Sequence, residues 1–304
     1  MNPFFFELSG ELKNMPLAEA CRCIEAETGG LEVCSHGPGY LVASFDGTRL
    51  DGISDRIALT RRIGRYLGSF DPSDPSAAES VILPEGSFAI RAKRFEGMMK
   101  DVDSQDLIRK VGGALSRRND VNLKEPDTVV RMHMSDRVHL FLEERAVDRD
   151  LMETRKVGER PFFSPISLHP KYARALINLT GVKRGGTVLD PFCGTGGILI
   201  EAAEMGMKAV ASDFDEEMII GCQENMEFYN LELSDMEVVD IGDIPGRFSD
   251  IDAVATDPPY GRSTRTGGED IGRIYRRAMD AIPAVLKDGA RAGIGPPHTS
   301  PAPP

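Results

Sequence analysis

The stretch Val188-Leu189-Asp190-Pro191-Phe192-Cys193-Gly194-Thr195-Gly196-Gly197-Ile198 constrains the fold of this chain more than any other. Thr187 to Leu189 is a short β-branched, apolar run that reads as a buried strand, and Leu199 to Met205, with Ile200, Ala202 and Ala203, reads as a helix. Gly194, Gly196 and Gly197 let the intervening backbone take positive φ and lie close to a ligand. A strand, a glycine turn and a helix in that order belong to an open α/β sheet, which binds nucleotides at the carboxyl ends of its strands. The turn contains no Lys and opens with Asp190. That carboxylate would repel a phosphate and favour a cation. The chemistry therefore points to a nucleoside that carries positive charge, such as S-adenosylmethionine.

Acidic residues recur where later strands should end. Asp213 closes Ala209-Val210-Ala211-Ser212, about twenty residues past the turn, where a carboxylate can accept hydrogen bonds from ribose hydroxyls. Asp240 follows Glu237 to Val239 and could accept from the exocyclic amine of an adenine ring. A single Asp in such a place is commonly a turn former or helix cap; its recurrence after a glycine turn favours a cofactor site. The run Ala253-Val254-Ala255-Thr256 then stops in Asp257-Pro258-Pro259-Tyr260. Two prolines remove two backbone donors, and Pro259 holds Pro258 extended. What remains is a rigid wall of acceptors, the Asp257 carboxylate and the Pro258 carbonyl, matched to an exocyclic amine with two N–H donors. Two accepted hydrogen bonds favour a more tetrahedral nitrogen, whose lone pair can attack a methyl on sulfonium. Tyr260 adds an aromatic face for a flipped-out base, a contact worth roughly 1–3 kcal/mol.

Ahead of this α/β region the pattern is different. Phe4 to Leu8 and Tyr40 to Phe45 read as strands, Pro16 to Thr28 as a helix with Asn14 as its N-cap, and Ile53 to Tyr66 as a basic amphipathic helix carrying Arg56, Arg61, Arg62 and Arg65. That order suggests a small α+β unit over residues 1–70. Asp71-Pro72-Ser73-Asp74-Pro75-Ser76 is a run of turn formers that reads as a linker. Ser87 to Arg94 alternates like a half-exposed strand, Ser104 to Ser116 reads as a helix capped by Ser104, and Thr128 to Met134 with Arg137 to Leu142 forms a hairpin around Ser135-Asp136. Residues 144–160 are highly charged and bridge to the last unit, although Arg160-Pro161-Phe162-Phe163-Ser164-Pro165 is apolar enough to expect partial burial. His169-Pro170 opens a helix that stops near Gly181.

A net charge of −12 argues against a protein that coats nucleic acid generically, but the charge is segregated. Residues 86–131 hold ten Lys/Arg against seven Asp/Glu, a net of +3, while residues 161–304 hold thirteen against twenty-one, a net of −8. The positive part supplies a candidate RNA footprint in Arg91, Lys93, Arg94, Arg117 and Arg118, competing with the plainer reading of a solvated face. The five cysteines form no Cys-x-x-Cys pair and no zinc set, and read as reduced thiols of a cytoplasmic protein. No segment has the length of a signal peptide or a membrane span.

The two motifs Asp190-Pro191-Phe192-Cys193-Gly194-Thr195-Gly196-Gly197 and Asp257-Pro258-Pro259-Tyr260-Gly261-Arg262 resemble the signatures of amino-directed S-adenosylmethionine-dependent methyltransferases. With the run from Pro165 through His169-Pro170 to Thr180, the chain is similar to the THUMP-containing tRNA guanosine N2-methyltransferases, most of all the archaeal tRNA (guanine(10)-N2)-methyltransferase family. The resemblance covers nearly the whole chain. It implies a doubly wound, Rossmann-like class I methyltransferase sheet preceded by an α+β ferredoxin-like and THUMP region. The corresponding boundaries are residues 1–70 (ferredoxin-like), 71–145 (RNA-binding THUMP), 146–164 (linker) and 165–304 (methyltransferase). It implies that Asp190, Phe192, Cys193, Gly194, Thr195 and Gly196 line the cofactor, with Asp213 at the ribose and Asp240 at the adenine. Asp257, Pro258, Pro259 and Tyr260 would receive the target base. The residues themselves reach only a planar exocyclic amine; guanine, tRNA and position ten come from the resemblance. No metal is implied, and an accessory subunit stays open.

One feature departs from that family. The fold continues past its fifth strand with a helix and a final hairpin, whereas Pro296-Pro297-His298-Thr299-Ser300-Pro301-Ala302-Pro303-Pro304 can form neither. The expectation is a sheet short at its C-terminal edge, as after truncation or a frameshift, with consequences for activity more than for fold. Two other readings follow: a catalytically defective tRNA-binding protein, and a DNA adenine N6-methyltransferase, since Asp-Pro-Pro-Tyr also serves adenine. Methylation of duplex DNA with tRNA ignored would mark the second.

Overall fold

The computed structural model describes residues 3–148, 150–164, 167–259 and 268–295. Two compact units divide at Val147/Asp148, with Arg56–Ala58 grouped with the second.

The first unit contains β1 (Phe4–Leu8), α1 (Met15–Thr28), β2 (Glu32–Gly37), β3 (Tyr40–Ser44), α2 (Leu50–Arg56), β4 (Thr60–Phe70), β5 (Ser87–Arg94), α3 (Ser104–Leu115), β6 (Asp120–Val121), β7 (Thr128–Met134) and β8 (Val138–Ala146). The strands join into one sheet in the order β2-β3-β1-β4-β8-β7-β5-β6. Position 70 thus falls at the end of β4, inside a continuous sheet. Asp71 and Asp74 accept from the backbone N–H groups of Ser73 and Ser76 and turn the chain into a 3-10 helix, Pro75–Ser80. Ala78 from that helix joins the core of Phe70, Phe88, Leu107, Val111 and Val130.

The basic helix expected over Ile53 to Tyr66 does not form. α2 ends at Arg56, and Thr60–Phe70 is an eleven-residue strand between β1 and β8. Its charges serve cross-strand pairs: Arg62 faces Glu7 and Glu143, and Arg65 bonds Glu144 at 3.0 Å. Gly64 permits the approach, since a Cβ there would lie 1.7 Å from the Leu142 carbonyl oxygen. The caps also differ. Asn14 occupies the N-cap position of α1 without a side-chain bond, and α3 is capped by Asp103, whose carboxylate accepts from Gln105 and Asp106. The 87–94 strand and the hairpin around Ser135-Asp136 form as expected, with the second hairpin strand running Val138–Ala146 where Arg137 to Leu142 was expected.

The second unit contains α4 (Asp150–Glu153), α5 (Pro170–Thr180), β9 (Thr187–Asp190), α6 (Gly197–Glu204), β10 (Lys208–Asp213), α7 (Glu216–Phe228), β11 (Leu233–Val238), β12 (Ile251–Thr256), α8 (Ile271–Val285) and β13 (Leu286–Ile294). Its described strands are all parallel, in the order β11-β10-β9-β12-β13. This is an open, parallel α/β sheet. Val188 and Leu189 of the central strand are wholly buried, each such side chain worth roughly 1.5–3 kcal/mol relative to exposure. The chain goes one way from β9 to β10 and β11, then returns to β12 on the other side. The switch between β9 and β12 opens a crevice at their carboxyl ends, where open α/β sheets take ligands. The proline-rich tail, residues 296–304, lies outside the described residues.

Candidate active site

Asp190 ends β9 directly under the crevice. It is 1% exposed, and its Oδ1 accepts from the Thr256 hydroxyl at 2.6 Å and the Phe192 N–H at 3.2 Å. One carboxylate oxygen therefore ties the glycine turn to the end of β12. Burial pushes its pKa up to about 7, against the lowering effect of those two donors, with Asp213 and Asp257 adding repulsion. Asp190 is thus held near the point of titration at neutral pH. The cation-attracting charge read from sequence is correspondingly weakened.

The turn itself is fixed from below. The Gly194 N–H donates to Asp213 Oδ2 at 3.0 Å, and the Cys193 N–H donates to the Ser212 carbonyl at 3.0 Å. Gly196 takes φ 78°, caps α6 in the left-handed conformation, and presses against Cys222: a Cβ there would sit 2.6 Å from the sulfur. Gly194 faces the other way; a Cβ built on it meets nothing closer than 4.0 Å. The loop thus packs on the protein through Gly196 and opens to the crevice through Gly194.

The crevice has a volume of about 580 Å³. It brings together Asp190, Phe192, Cys193, Gly194, Thr195, Asp213, Asp240, Asp257, Pro258 and Pro259, which lie far apart in sequence. Gly196 is set back as the helix cap. Tyr260 lies outside the described residues, as do Gly261, Arg262, Pro165 and Ile166. Asp213 accepts from Gly194 and, through Oδ1, from the Asp215 N–H at 3.1 Å; burial raises its pKa. Each carboxylate oxygen keeps capacity for a second donor.

Several lining residues were not visible in the sequence motifs. Phe162 and Phe163 form a wall, and Phe214 and Ile241 flank Asp213 and Asp240. Asn225 fastens that wall to the glycine turn. It accepts from the Phe162 N–H at 3.0 Å and donates to the Phe162 and Thr195 carbonyls at 2.7 and 2.9 Å. Gly221, one turn earlier on α7, leaves room for the ring: a Cβ there would be 2.0 Å from it. On the far side, Arg277 of α8 pairs with Asp240 and with Glu269 at 2.7 Å, so the two strand-end loops are cross-linked. The apolar Pro161-Phe162-Phe163 run was the one available signal. Among the described residues, no cluster of His, Cys, Asp and Glu could hold a metal ion.

The five candidate RNA contacts sit on the first unit. Arg91, Lys93 and Arg94 follow one another along β5, and Arg117 and Arg118 come just after α3. Most are engaged within the unit. Lys93 bonds Glu7 at 2.8 Å, Arg91 donates to the Leu123 carbonyl, Arg94 to the Met99 and Val102 carbonyls, and Arg117 to Glu79 at 3.2 Å. Arg118 lies with Arg117, Ser116 and Asn119 in a small polar hollow that also contains Asp120 and Asp127.

Known proteins resemble this chain over most of its length. A family model described as UPF0020, an RMKL-like methyltransferase domain, matches residues 157–297, and the THUMP domain model matches residues 76–143. The chain is 35% identical over 302 residues to a tRNA (guanine(10)-N2)-dimethyltransferase of Methanothermobacter thermautotrophicus, spanning 96% of this chain and 88% of that protein. It is 32% identical over 292 residues to the enzyme of the same name from Pyrococcus abyssi, spanning 93% and 86%. Among solved structures, TrmN from Thermus thermophilus matches with a TM-score of 0.52 and 25% identity over 96% of this chain and 88% of that one.

Proposed function

Since this chain belongs to the family of tRNA (guanine(10)-N2)-dimethyltransferases, we propose that it transfers methyl groups from S-adenosylmethionine to the 2-amino group of the guanosine at position ten of tRNA. The observation that carries this reading is convergence: the glycine turn after β9 and the Asp257-Pro258-Pro259 end of β12 line one crevice at the topological switch. The residues present fit the cofactor. Gly194 leaves open space over the turn, Asp213 can take ribose hydroxyls, and Asp240 can take an adenine amine.

When bound, S-adenosylmethionine supplies a methyl group made electrophilic by its sulfonium. The chain's own part is to present the nucleophile. Asp257 and the Pro258 carbonyl accept the two N–H groups of the guanine amine and reduce its delocalisation into the ring. Neither Pro258 nor Pro259 offers an N–H that would compete for that lone pair. The Asp257 carboxylate then takes the proton that the alkylated nitrogen sheds, a step suited to a carboxylate held beside the reacting atom. Tyr260 stacks on the flipped base, and Arg91, Lys93, Arg94, Arg117 and Arg118 offer salt-sensitive contacts to the tRNA backbone.

The test is Asp257→Ala, assayed separately for methyl transfer and for cofactor binding. Transfer should fall by about 10²–10³-fold or more, as when a group that stabilises the transition state is removed. Cofactor affinity should stay near that of the parent, because the bonds seen to hold the glycine turn come from Asp190, Ser212, Asp213 and Asn225. Equal losses in both would remove Asp257 from the chemistry.

A further inference from the structure

Two buried thiols meet under the glycine turn, and no step of the methyl transfer uses either. Cys193 belongs to the turn and lines the crevice, while Cys222 lies on α7. Both are free cysteines, 5% and 0% exposed, in one apolar cluster with Leu199, Ile200, Ala209 and Ala211. Gly196 links them. Its N–H donates to the Cys193 carbonyl at 2.8 Å, and a Cβ built on it would lie 2.6 Å from the Cys222 sulfur. The two thiols also share a hydrogen bond. The other three cysteines, Cys21, Cys23 and Cys34, belong to the first unit.

Contact between two thiols opens a reaction that a solitary buried cysteine lacks. Oxidation of one sulfur sets an electrophile against the other, which can displace the new oxygen and close a disulfide. Access decides which sulfur reacts first. Cys193 borders the crevice, whereas Cys222 has no exposed surface. A peroxide that enters the crevice therefore reaches Cys193, with Cys222 behind it as the resolving thiol. Closure also moves the turn, because a covalent bond is shorter than a contact between thiols and draws Cys193 toward α7. Gly196 is already pressed on the Cys222 sulfur, and the Gly194 N–H is tied to Asp213 at 3.0 Å. The displacement therefore falls on the loop against which a ligand must sit.

We propose that Cys193 and Cys222 form a peroxide-operated dithiol switch that closes to a disulfide and thereby shuts the cofactor crevice. The Cys193 thiolate attacks one oxygen of the peroxide. The O–O bond breaks, the leaving hydroxide takes up the thiol proton as water, and Cys193 becomes a sulfenic acid. The Cys222 sulfur then attacks the Cys193 sulfur. The S–O bond breaks, and the hydroxyl leaves with the Cys222 proton as a second water. Each sulfur gives up one electron, and one hydrogen peroxide is reduced to two waters. A thiol reductant reopens the pair. The inference rests on the reading that this crevice takes S-adenosylmethionine.

The test treats the full chain with hydrogen peroxide, blocks the remaining thiols with iodoacetamide and maps the peptides by mass. A Cys193–Cys222 crosslink should appear and should revert to two free thiols with dithiothreitol. The hydrogen bond with Cys222 and burial, then repulsion from Cys222, Asp213 and Asp190, push the Cys193 thiol well above its ordinary value. The reactive thiolate is therefore scarce, and crosslinking should quicken about tenfold for each unit of rising pH near neutrality. Calorimetric titration of the crosslinked protein should show S-adenosylhomocysteine binding at least about tenfold more weakly than to the reduced protein. Dithiothreitol should restore the affinity, and the fraction of sites lost should match the fraction crosslinked. Both thiols recovered alkylated, crosslinks confined to Cys21, Cys23 and Cys34, or full affinity in the crosslinked protein overturns the switch. A reduced protein that does not bind S-adenosylhomocysteine overturns the cofactor reading instead, and the peptide map then judges the thiol pair by itself.

Discussion

Gly196→Ala tests the packing that shapes the glycine turn, and its cost can be worked from two independent features. The residue sits at φ 78°, where a side chain costs about 1–2 kcal/mol. The new methyl would also lie 2.6 Å from the Cys222 sulfur. Cys222 is fully buried among Leu199, Ile200, Ala209 and Ala211, so the sulfur cannot swing away without disturbing that cluster. Overpacking of this kind costs about 1–3 kcal/mol, which brings the total to roughly 2–5 kcal/mol. Only the second part depends on Cys222. In a double-mutant cycle with Cys222→Ala, Gly196→Ala should therefore recover about 1–3 kcal/mol and keep only the backbone penalty. Guanidinium unfolding of the four proteins, compared at equal m, measures this. Additive costs, within about 0.5 kcal/mol, would refute the claim that Cys222 supports the turn through Gly196.

Two further outcomes follow from buried charge. Glu201 is completely buried and holds both Arg155 and Arg174, so Glu201→Ala removes the buried carboxylate that the two guanidinium groups share, leaving Arg155 the longer 3.5 Å pair with Glu204, and should cost about 3–5 kcal/mol; an unchanged thermal midpoint would contradict this. His139 is buried against Tyr40, Tyr66 and His133, and burial followed by the neighbouring His133 lowers its pKa to about 4. A depressed histidine pKa favours the neutral ring in the folded state. Its contribution is full above about pH 6.5 and is lost as pH falls through about 4, a change of roughly 3 kcal/mol. Urea unfolding between pH 7 and pH 4 should show that slope, shallower in His139→Gln; identical slopes in the two proteins would assign it elsewhere. Asp136, beside His139, titrates below its ordinary value and acts in a lower window.

The parallel sheet and its ligand edge were legible because they are written locally. A buried strand, a glycine turn and successive strand-end acids each occupy a few consecutive residues, and their chemistry does not depend on distant partners. β4 was misread for a physical reason. Its pairing with β8 shifts register between Ile63 and Gly64 and again between Tyr66 and Gly68. Each bulge resets the alternation, leaving Arg61, Arg62 and Arg65 at helix-like spacing in a strand. Asn225, Gly221 and Arg277 were invisible for another reason. Each takes its meaning from a contact with a residue elsewhere in the chain, and one sequence does not record contacts. The same holds for the basic residues on β5: their number could be counted, but not the pairing of Lys93 with Glu7.

The most direct measurement is transfer of labelled methyl from S-adenosylmethionine to unmodified tRNA, followed by nucleoside analysis and mapping of the modified position. The account predicts N2-methylated guanosine at position ten, formed at least about 10²-fold more slowly with Asp257→Ala. Label on another base or atom, or no label while cofactor and tRNA both bind, would contradict it.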